Sequence, residues 1–396
     1  MQNNQKIPAG WSVKKVKELG RVVTGSTPSM ACPENYGGTF CWATAQDFGS
    51  KYISNTVVKL SEQGKNCSRM LPPGSVLITC IASLGLNAIA KVKMATNQQI
   101  NAIVPNKENS GEFIYYQISQ NTNQLKRFAG AGGMMILTKG EFEKVPFVFP
   151  PLPEQEKIAG ILGTWDEAIE KLSSLIEQKK RLKKGLMQKL LTGQTRLPGF
   201  TQPWKEVKLG EICKLEATTS KSAFIDENGK YYIIDMGAVS TEGTLISSKR
   251  TNTCEDLLKI NDIVMPKDDI GGGNIIGKTA IIKQENTYIL SDHVFKLNIH
   301  DSDSNFISYL INSYGYNKYM RRMSCGSAIL GLSKKDVEKC LLNIPSNISE
   351  QHAIAEVLST ADDEINLLNQ KLEAIKEQKK GLMQQLLTGQ TRVKVN

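Results

Sequence analysis

The sequence predicts an α+β protein: two mixed α/β globular domains separated by two long antiparallel helices, with a pseudo-two-fold internal repeat. Three observations predict it. The segment Leu152 to Arg196 matches Ile348 to Arg392 at a constant offset of 196 residues, and self-similarity at a fixed offset reports a duplicated structural unit. Inside both segments apolar residues recur in steps of four and three, the seam of a helix that pairs with another helix. The blocks ahead of them mix short β-like runs with turns and one later helical stretch, the pattern of mixed α/β domains. The expected boundaries are 1–151 for the first globular domain, 152–196 for the first long helix, 197–347 for the second domain and 348–396 for the second helix.

The repeat is closest at its tail. Lys183 to Arg196 reads KKGLMQKLLTGQTR and Lys379 to Arg392 reads KKGLMQQLLTGQTR, so only Lys189 and Gln385 differ. Upstream, Glu154-Gln155 answers Glu350-Gln351, and Ile158-Ala159 answers Ile354-Ala355. The first seam is Ile158, Leu162, Trp165, Ile169, Leu172 and Ile176; the second is Ile354, Leu358, Ala361, Ile365, Leu368, Leu372 and Ile375. Lys179, Lys183 and Lys379 continue the register with charge, an imperfection toward the C-terminal part. Gly193 and Gly389 supply the stops expected of a helix C-terminus. A helix from Glu154 to Leu191 would be roughly 55–60 Å long. Helices that leave one domain and arrive at the next must run antiparallel if their seams pair, with the domains at opposite ends. The linker Arg196 to Trp204 resembles Lys6 to Trp11, which places Thr391-Arg392 near the N-terminus.

The globular blocks repeat more faintly. Val16-Lys17-Glu18-Leu19-Gly20 pairs with Val207-Lys208-Leu209-Gly210, Phe113-Ile114-Tyr115-Tyr116 with Phe306-Ile307-Ser308-Tyr309, and Leu137-Thr138-Lys139 with Leu332-Ser333-Lys334. Ser75–Thr79, Ala88–Val92, Tyr231–Ile234 and Ile289–Leu297 read as β-like runs.

A chain of 396 residues is long enough for more than one core. Its 49 Lys+Arg against 39 Asp+Glu leave a net charge of +10, a bias toward polyanionic partners, nucleic acid above all. The start of the chain is polar and lacks the apolar core of a signal peptide, and no apolar run is long enough to span a bilayer, so a cytoplasmic protein without membrane contact is expected. The eight cysteines form no C-x-x-C pair, which argues against a zinc site or disulfide framework and for buried free thiols. His293, His300 and His352 are too scattered to suggest a metal trio. No catalytic residue, metal or cofactor is expected on this chain.

Gly272-Gly273-Asn274-Ile275-Ile276-Gly277-Lys278-Thr279 satisfies the phosphate-loop pattern G-x-x-x-x-G-K-T. That loop works only where a helix N-terminus follows, whose amides hold phosphate. Here Ala280-Ile281-Ile282-Lys283, a polar turn and Tyr288-Ile289-Leu290 follow, which reads as a β-hairpin. A nucleotide-binding enzyme is therefore the weaker alternative, beside a coiled-coil scaffold that joins proteins without DNA. Adenine methyl transfer would need an Asn-Pro-Pro-aromatic or Asp-Pro-Pro-aromatic cluster, and Phe149-Pro150-Pro151-Leu152 lacks its polar residue.

The ordered set of motifs resembles the specificity subunit of a type I restriction-modification system over essentially the whole chain. The residues that carry the resemblance are Pro150-Pro151-Leu152-Pro153-Glu154-Gln155, Leu191-Thr192-Gly193 and their second copies, Thr24-Gly25-Ser26-Thr27-Pro28-Ser29, and Asn97-Gln98-Gln99-Ile100. The second domain departs from the pattern, with Leu290-Ser291-Asp292-His293 in place of the last motif. The resemblance implies two target recognition domains, each reading one half of an asymmetric bipartite sequence in double-stranded DNA. It implies helices that set the gap between halves and dock two copies of an adenine methyltransferase subunit, which carries the S-adenosylmethionine. A restriction (motor-nuclease) subunit joins such complexes.

Candidate DNA-binding residues follow from side-chain chemistry. Lys126-Arg127 and Arg321-Arg322 occupy matching places at the end of the helical stretch, each followed by a small-residue loop, with Gly132 and Gly133 in one copy and Gly326 and Ser327 in the other. Small residues let backbone approach DNA, and arginine holds phosphate or the guanine edge. Lys91, Lys93, Lys249, Arg250 and Lys267 are basic positions in the β-region, and Gln98 and Gln99 suit adenine. Leu186, Leu190, Leu382 and Leu386 lie in the most closely repeated stretch. They fit a core seam first, and docking of the methyltransferase second, since equivalent docking sites require near-identical copies.

Overall fold

A computed structural model describes residues 7–130, 135–327 and 329–395. The chain divides into two compact units, Met1–Ser173 with Gln370–Asn396, and Ser174–Asn369. The divide falls inside both long helices, Leu152–Leu190 and Ile348–Leu387. Each unit therefore consists of one globular domain, the first part of the helix that leaves it, and the last part of the other helix.

In the first unit the central sheet orders its strands Gly20–Thr24, Ile100–Pro105, Val76–Thr79, Asn87–Ala90 and Tyr52–Ile53, antiparallel except at the last pair. A smaller sheet holds Lys59–Leu60, Tyr36–Ala43 and Met94–Thr96, the last two parallel. Ser12–Lys15 pairs with Pro146–Phe149.

The second unit repeats this plan. Its central sheet runs Cys213–Glu216, Val294–Ile299, Ile263–Pro266, Ala280–Ile281, all antiparallel. Its smaller sheet holds Arg250–Thr251, Tyr231–Ile234 and Tyr288–Leu290, again with a parallel pair. Trp204–Lys208 pairs with Leu341–Pro345. The faint sequence repeat thus records one fold used twice, although among the described residues only the first unit carries the extra edge strand Tyr52–Ile53.

The expected run Ile289–Leu297 is two strands, broken at Ser291-Asp292-His293. The expected hairpin after Thr279 does not form: Ala280–Ile281 joins the central sheet while Tyr288–Leu290 joins the smaller one. Both runs are short and apolar, and periodicity cannot tell which partner such a run takes. The expectation of buried thiols holds for Cys41, Cys80, Cys213 and Cys340, whereas Cys32, Cys67, Cys254 and Cys325 are exposed.

The helix seam is continuous in each unit. In the first, Ile158, Ala159, Leu162, Leu386 and Leu387 share one core with Phe113, Phe147 and Phe149. In the second, Leu190, Leu191, Ile354, Ala355 and Leu358 share one with Phe306, Leu310 and Ile344. The seam lysines are no flaw. Lys183 meets Asp362 at 2.5 Å and Lys179 meets Glu364 at 2.6 Å in the second unit, and Lys379 meets Asp166 in the first. In both units numbers rise on one helix as they fall on the other, so the helices pair antiparallel.

The ends are locked by the repeated motifs. Arg392 donates Nε to Glu154 Oε1 at 2.7 Å and Nη2 to Oε2 at 2.8 Å, and the Trp11 indole donates to the same carboxylate at 3.1 Å. Arg196, Glu350 and Trp204 repeat the arrangement, the two guanidinium bonds at 2.5 and 2.7 Å and the indole bond at 3.4 Å. A bidentate guanidinium–carboxylate pair is the strong form of this contact. Gln155 accepts from Ser110 N and donates to Pro150 O, as Gln351 accepts from Asp303 N and donates to Pro345 O. Arg392 also donates to Ala9 O at 2.7 Å, so the C-terminal Thr-Arg does lie beside the N-terminal segment. Gly193 and Gly389 end the helices at φ +69° and +70°, the left-handed backbone that favours glycine. A Cβ at Gly389 would collide with the Pro8 ring, whereas one at Gly193 would only reach ordinary contact with the Trp204 ring.

Candidate nucleic-acid interface

Each unit builds one edge where the sequence motifs converge. In the first, the turn Asn97–Gln99 separates Met94–Thr96 from Ile100–Pro105 and leaves the Gln98 and Gln99 side chains exposed. The motif after the first strand lies against it: Ser26 N donates to Thr96 O at 2.8 Å and Thr27 Oγ1 donates to Gln98 Oε1. Gly25 sits so close that any Cβ would collide with the Thr96 and Asn97 carbonyls. Arg69 completes the corner, donating Nη1 to Thr24 O at 2.8 Å and its own N to Ser26 Oγ. Sequence reasoning passed over Arg69, because nothing near it in sequence repeats or stands out; it becomes visible only through contacts far along the chain.

The turn continues into the segment after the helices. Cys80 N donates to Gln99 O, and Leu137 N donates to Cys80 O. Lys126 and Arg127 stand exposed in the last turn of Thr122–Phe128, just before that segment. Gly132 and Gly133 lie outside the described residues. Lys91 and Lys93 are exposed but belong to a different turn, at the opposite end of Met94–Thr96, where Lys91 Nζ lies 5.3 Å from the Tyr52 ring centroid. The fold does not bring them to the glutamine corner.

The second unit assembles the same corner from other side chains. Lys267 N donates to His293 O and Leu332 N donates to Lys267 O, bond for bond the counterpart of the first unit. Lys221 N donates to Ser291 Oγ, and its ammonium is buried against Asp256 at 2.8 Å. The Asp256 partner holds the Lys221 ammonium above the ordinary lysine range in spite of its burial. His293 Nδ1 lies 2.8 Å from Asp268 Oδ2, Lys267 Nζ 3.3 Å from the same oxygen, and Lys249 Nζ 2.7 Å from Asp235. Among the described residues, ligand atoms of Asp235, Asp292 and His293 lie within 4.8 Å of one another and could offer a cation three donors; of these, Asp235 is already paired with Lys249. Arg250 is half-buried, donating to Tyr232 Oη at 2.5 Å and to Gly229 O. Arg321 and Arg322 are exposed at the end of Tyr314–Met323, and Gly326 and Ser327 follow on the surface. Gly326 has φ +132°, and a Cβ there would strike the Ile329 carbonyl.

The phosphate-loop pattern is a turn of this domain. A strand follows Thr279, not a helix, so the amides of a helix N-terminus are missing from the place where phosphate would need them. Lys278 points inward, 3.5 Å from the Asn312 carbonyl, and burial pulls its ammonium below the usual lysine range. Leu190 and Leu386 are 4% and 2% exposed, with Leu186 and Leu382 packed partly over them, so all four belong to the seam. Among the described residues no helix is long and apolar enough to cross a membrane.

Comparison with known proteins follows the same division. The family model described as "Type I restriction modification DNA specificity domain" matches twice, at residues 8–179 and 201–377. The MjaIX type I restriction enzyme specificity subunit of Methanocaldococcus jannaschii is 37% identical over 172 residues, which is 42% of this chain and 40% of that protein. The MjaVIII specificity subunit of the same organism is 25% identical over 98% of this chain and 95% of its own length. Among solved structures, the S subunit of a type I restriction-modification system from M. genitalium superposes with a TM-score of 0.66 at 16% identity, covering 98% of both chains.

Proposed function

The chain belongs to the type I restriction-modification DNA specificity family, and from that premise we propose how this member divides its labour. As a specificity subunit it recognises DNA sequence and does no chemistry itself. Residues 1–151 and 197–347 act as the two target recognition domains, each reading one half of an asymmetric bipartite target. Residues 152–196 and 348–396 hold the gap between the halves and dock two copies of an adenine methyltransferase subunit, which brings the S-adenosylmethionine. The complex works in the cytoplasm, where a restriction subunit can join it.

The observation that carries the reading is the pair of corners. The same backbone bonds build both, yet one presents Gln98, Gln99 and Arg69 while the other presents His293, Asp292 and Lys267. Amides and arginine suit adenine and guanine edges in the major groove, and a carboxylate accepts from cytosine. One mounting with two side-chain sets gives two unlike half-sites. Lys126, Arg127, Arg321 and Arg322, together with Gly132, Gly133, Gly326 and Ser327, hold the flanking phosphates; Lys91, Lys93, Lys249 and Arg250 contribute at the margin. For docking, the outer faces of the paired helices take the partner, with Leu186, Leu190, Leu382 and Leu386 stiffening them from within.

The test is to express the chain with its methyltransferase partner in a host lacking adenine methylation and to sequence the modified bases. One bipartite motif with a fixed gap and two different halves is expected. Methylation independent of the chain, or a motif of one contiguous block, would overturn the reading.

A further inference from the structure

We propose that Asp166 and Asp362 are positioning residues that fix the angle of each recognition domain on its helix pair, and so set how strictly the gap between half-sites is measured. The inference rests on the reading of the chain as a bipartite DNA reader. Each aspartate lies on a long helix and takes two partners from different elements. Asp166 accepts from the Tyr116 hydroxyl of the first domain's helix and pairs with Lys379 of the other long helix. Asp362 accepts from the Tyr309 hydroxyl at 2.7 Å and pairs with Lys183 at 2.5 Å. The three residues of one clamp are the repeat mates of the three in the other. Burial, reinforced by the carboxylate, pushes both tyrosine hydroxyls above their ordinary range, so they remain donors.

The geometry explains why a second attachment matters. Glu154 and Glu350 already tie each domain to the start of its helix. The Gln155 and Gln351 bonds and the apolar packing of Ile158, Leu162, Ile354 and Leu358 reinforce that tie, but all lie nearer the start of the helix and resist tilt with a shorter lever. Asp166 and Asp362 each lie twelve residues beyond those glutamates, about 18 Å at 1.5 Å per residue. A swing of about ten degrees at that radius moves the far point by about 3 Å, close to the 3.4 Å rise of one base-pair step. A second tie at this distance arrests that swing. If the aspartates only neutralised seam lysines, no tyrosine from the domain would need to share them. The sharing is kept in both units even where the neighbours differ: Tyr115 stands where the second unit has Ser308, and Glu112 where it has Asn305.

The first clamp is also braced. Lys51 donates to Tyr116 Oη at 2.7 Å, pairs with Glu112 at 2.5 Å and lies 3.7 Å from Asp166. In the second unit the nearest comparable tie, Lys283 to Asp363 at 3.5 Å, is exposed and bypasses the tyrosine.

The experiment uses the chain in complex with its methyltransferase subunits, on a pool of DNA carrying both half-sites at gaps several base pairs shorter and longer than the preferred one. Asp166→Asn and Asp362→Asn are expected to keep both half-site preferences while methylation at gaps one base pair off rises at least tenfold relative to the optimum, more in Asp362→Asn. Tyr116→Phe and Tyr309→Phe, which lose one hydroxyl each, serve if the aspartate variants fail to fold; a smaller broadening of the same kind is expected. Unchanged gap profiles in folded variants overturn the inference. A wild-type complex with no gap preference overturns instead the bipartite reading on which it rests.

Discussion

The two units differ least where the chain holds itself together and most where it faces outward. The Glu–Arg–Trp lock, the Asp–Lys–Tyr clamp and the Gln cap recur in both with their bonding intact. The corner turns share only backbone bonds, with side chains that change from amides to a carboxylate–histidine–lysine network. The difference teaches that the duplicated object is a mounting. Its residues are constrained by one another, whereas the corner side chains carry no bonding pattern shared between the units.

The largest expected effect breaks the equivalence of the two locks. Glu350 is fully buried and Arg196 28% exposed, while Arg392 is 44% exposed over Glu154. Removing the guanidinium from a buried carboxylate leaves an uncompensated charge, which costs roughly 3–5 kcal/mol; the partial exposure of Arg196 puts Arg196→Ala at the lower end of that range. Arg392→Ala should cost less, because water reaches its carboxylate more easily. Urea unfolding followed by tryptophan fluorescence measures both. Equal losses would show that exposure of the arginine does not decide the strength of the lock.

These locks also mark how far the sequence could be read. Glu154, Glu350, Arg196 and Arg392 were visible as repeat landmarks, and the seam located both helices, which start at the expected 152 and 348 but end at Leu190 and Leu387, short of 196 and 396. What they bond to was not visible, because an ion pair across more than 150 residues leaves no local period. Lys179, Lys183 and Lys379 read as defects for the same reason. The corner was half legible. Gln98, Gln99 and the paired basic helix ends could be marked by residue type, but Arg69, Asp268 and Lys221 owe their roles to contacts that only the folded chain makes. Arg250 was marked by residue type in the same way, and its bond to the Tyr232 hydroxyl is one more contact that composition does not report.

A smaller effect sharpens the comparison of the corners. A bidentate contact to a base is worth about 1–3 kcal/mol of discrimination, or roughly ten- to hundredfold. Gln99→Ala should relax one position in one half of the methylated motif by that amount and leave the other half unchanged. His293→Ala should do the reverse. Relaxation in both halves from either variant would mean that the corners do not read separately.

The smallest effect is read in alkali, and it too differs between units. Burial pushes the Cys80 thiol of the first unit up to about 11, and those of Cys213 and Cys340 in the second up to about 12. These thiols bind their protons more tightly folded than unfolded, where the ordinary value is 9.0. Their contribution to stability is therefore whole below pH 9 and is lost as pH rises from there through the folded values. At pH 9.5 the loss is on the order of 1 kcal/mol per thiol, and the raised hydroxyls of Tyr116 and Tyr309 extend the decline above pH 10. The exposed Cys32, Cys67, Cys254 and Cys325 should be alkylated by iodoacetamide at pH 8 while the buried Cys41, Cys80, Cys213 and Cys340 resist. Peptide mapping across pH 8–11 separates the two sets. Early labelling of Cys80 alone would mean that the first unit's corner, where this thiol adjoins the Gln99 turn, opens more readily than the second's.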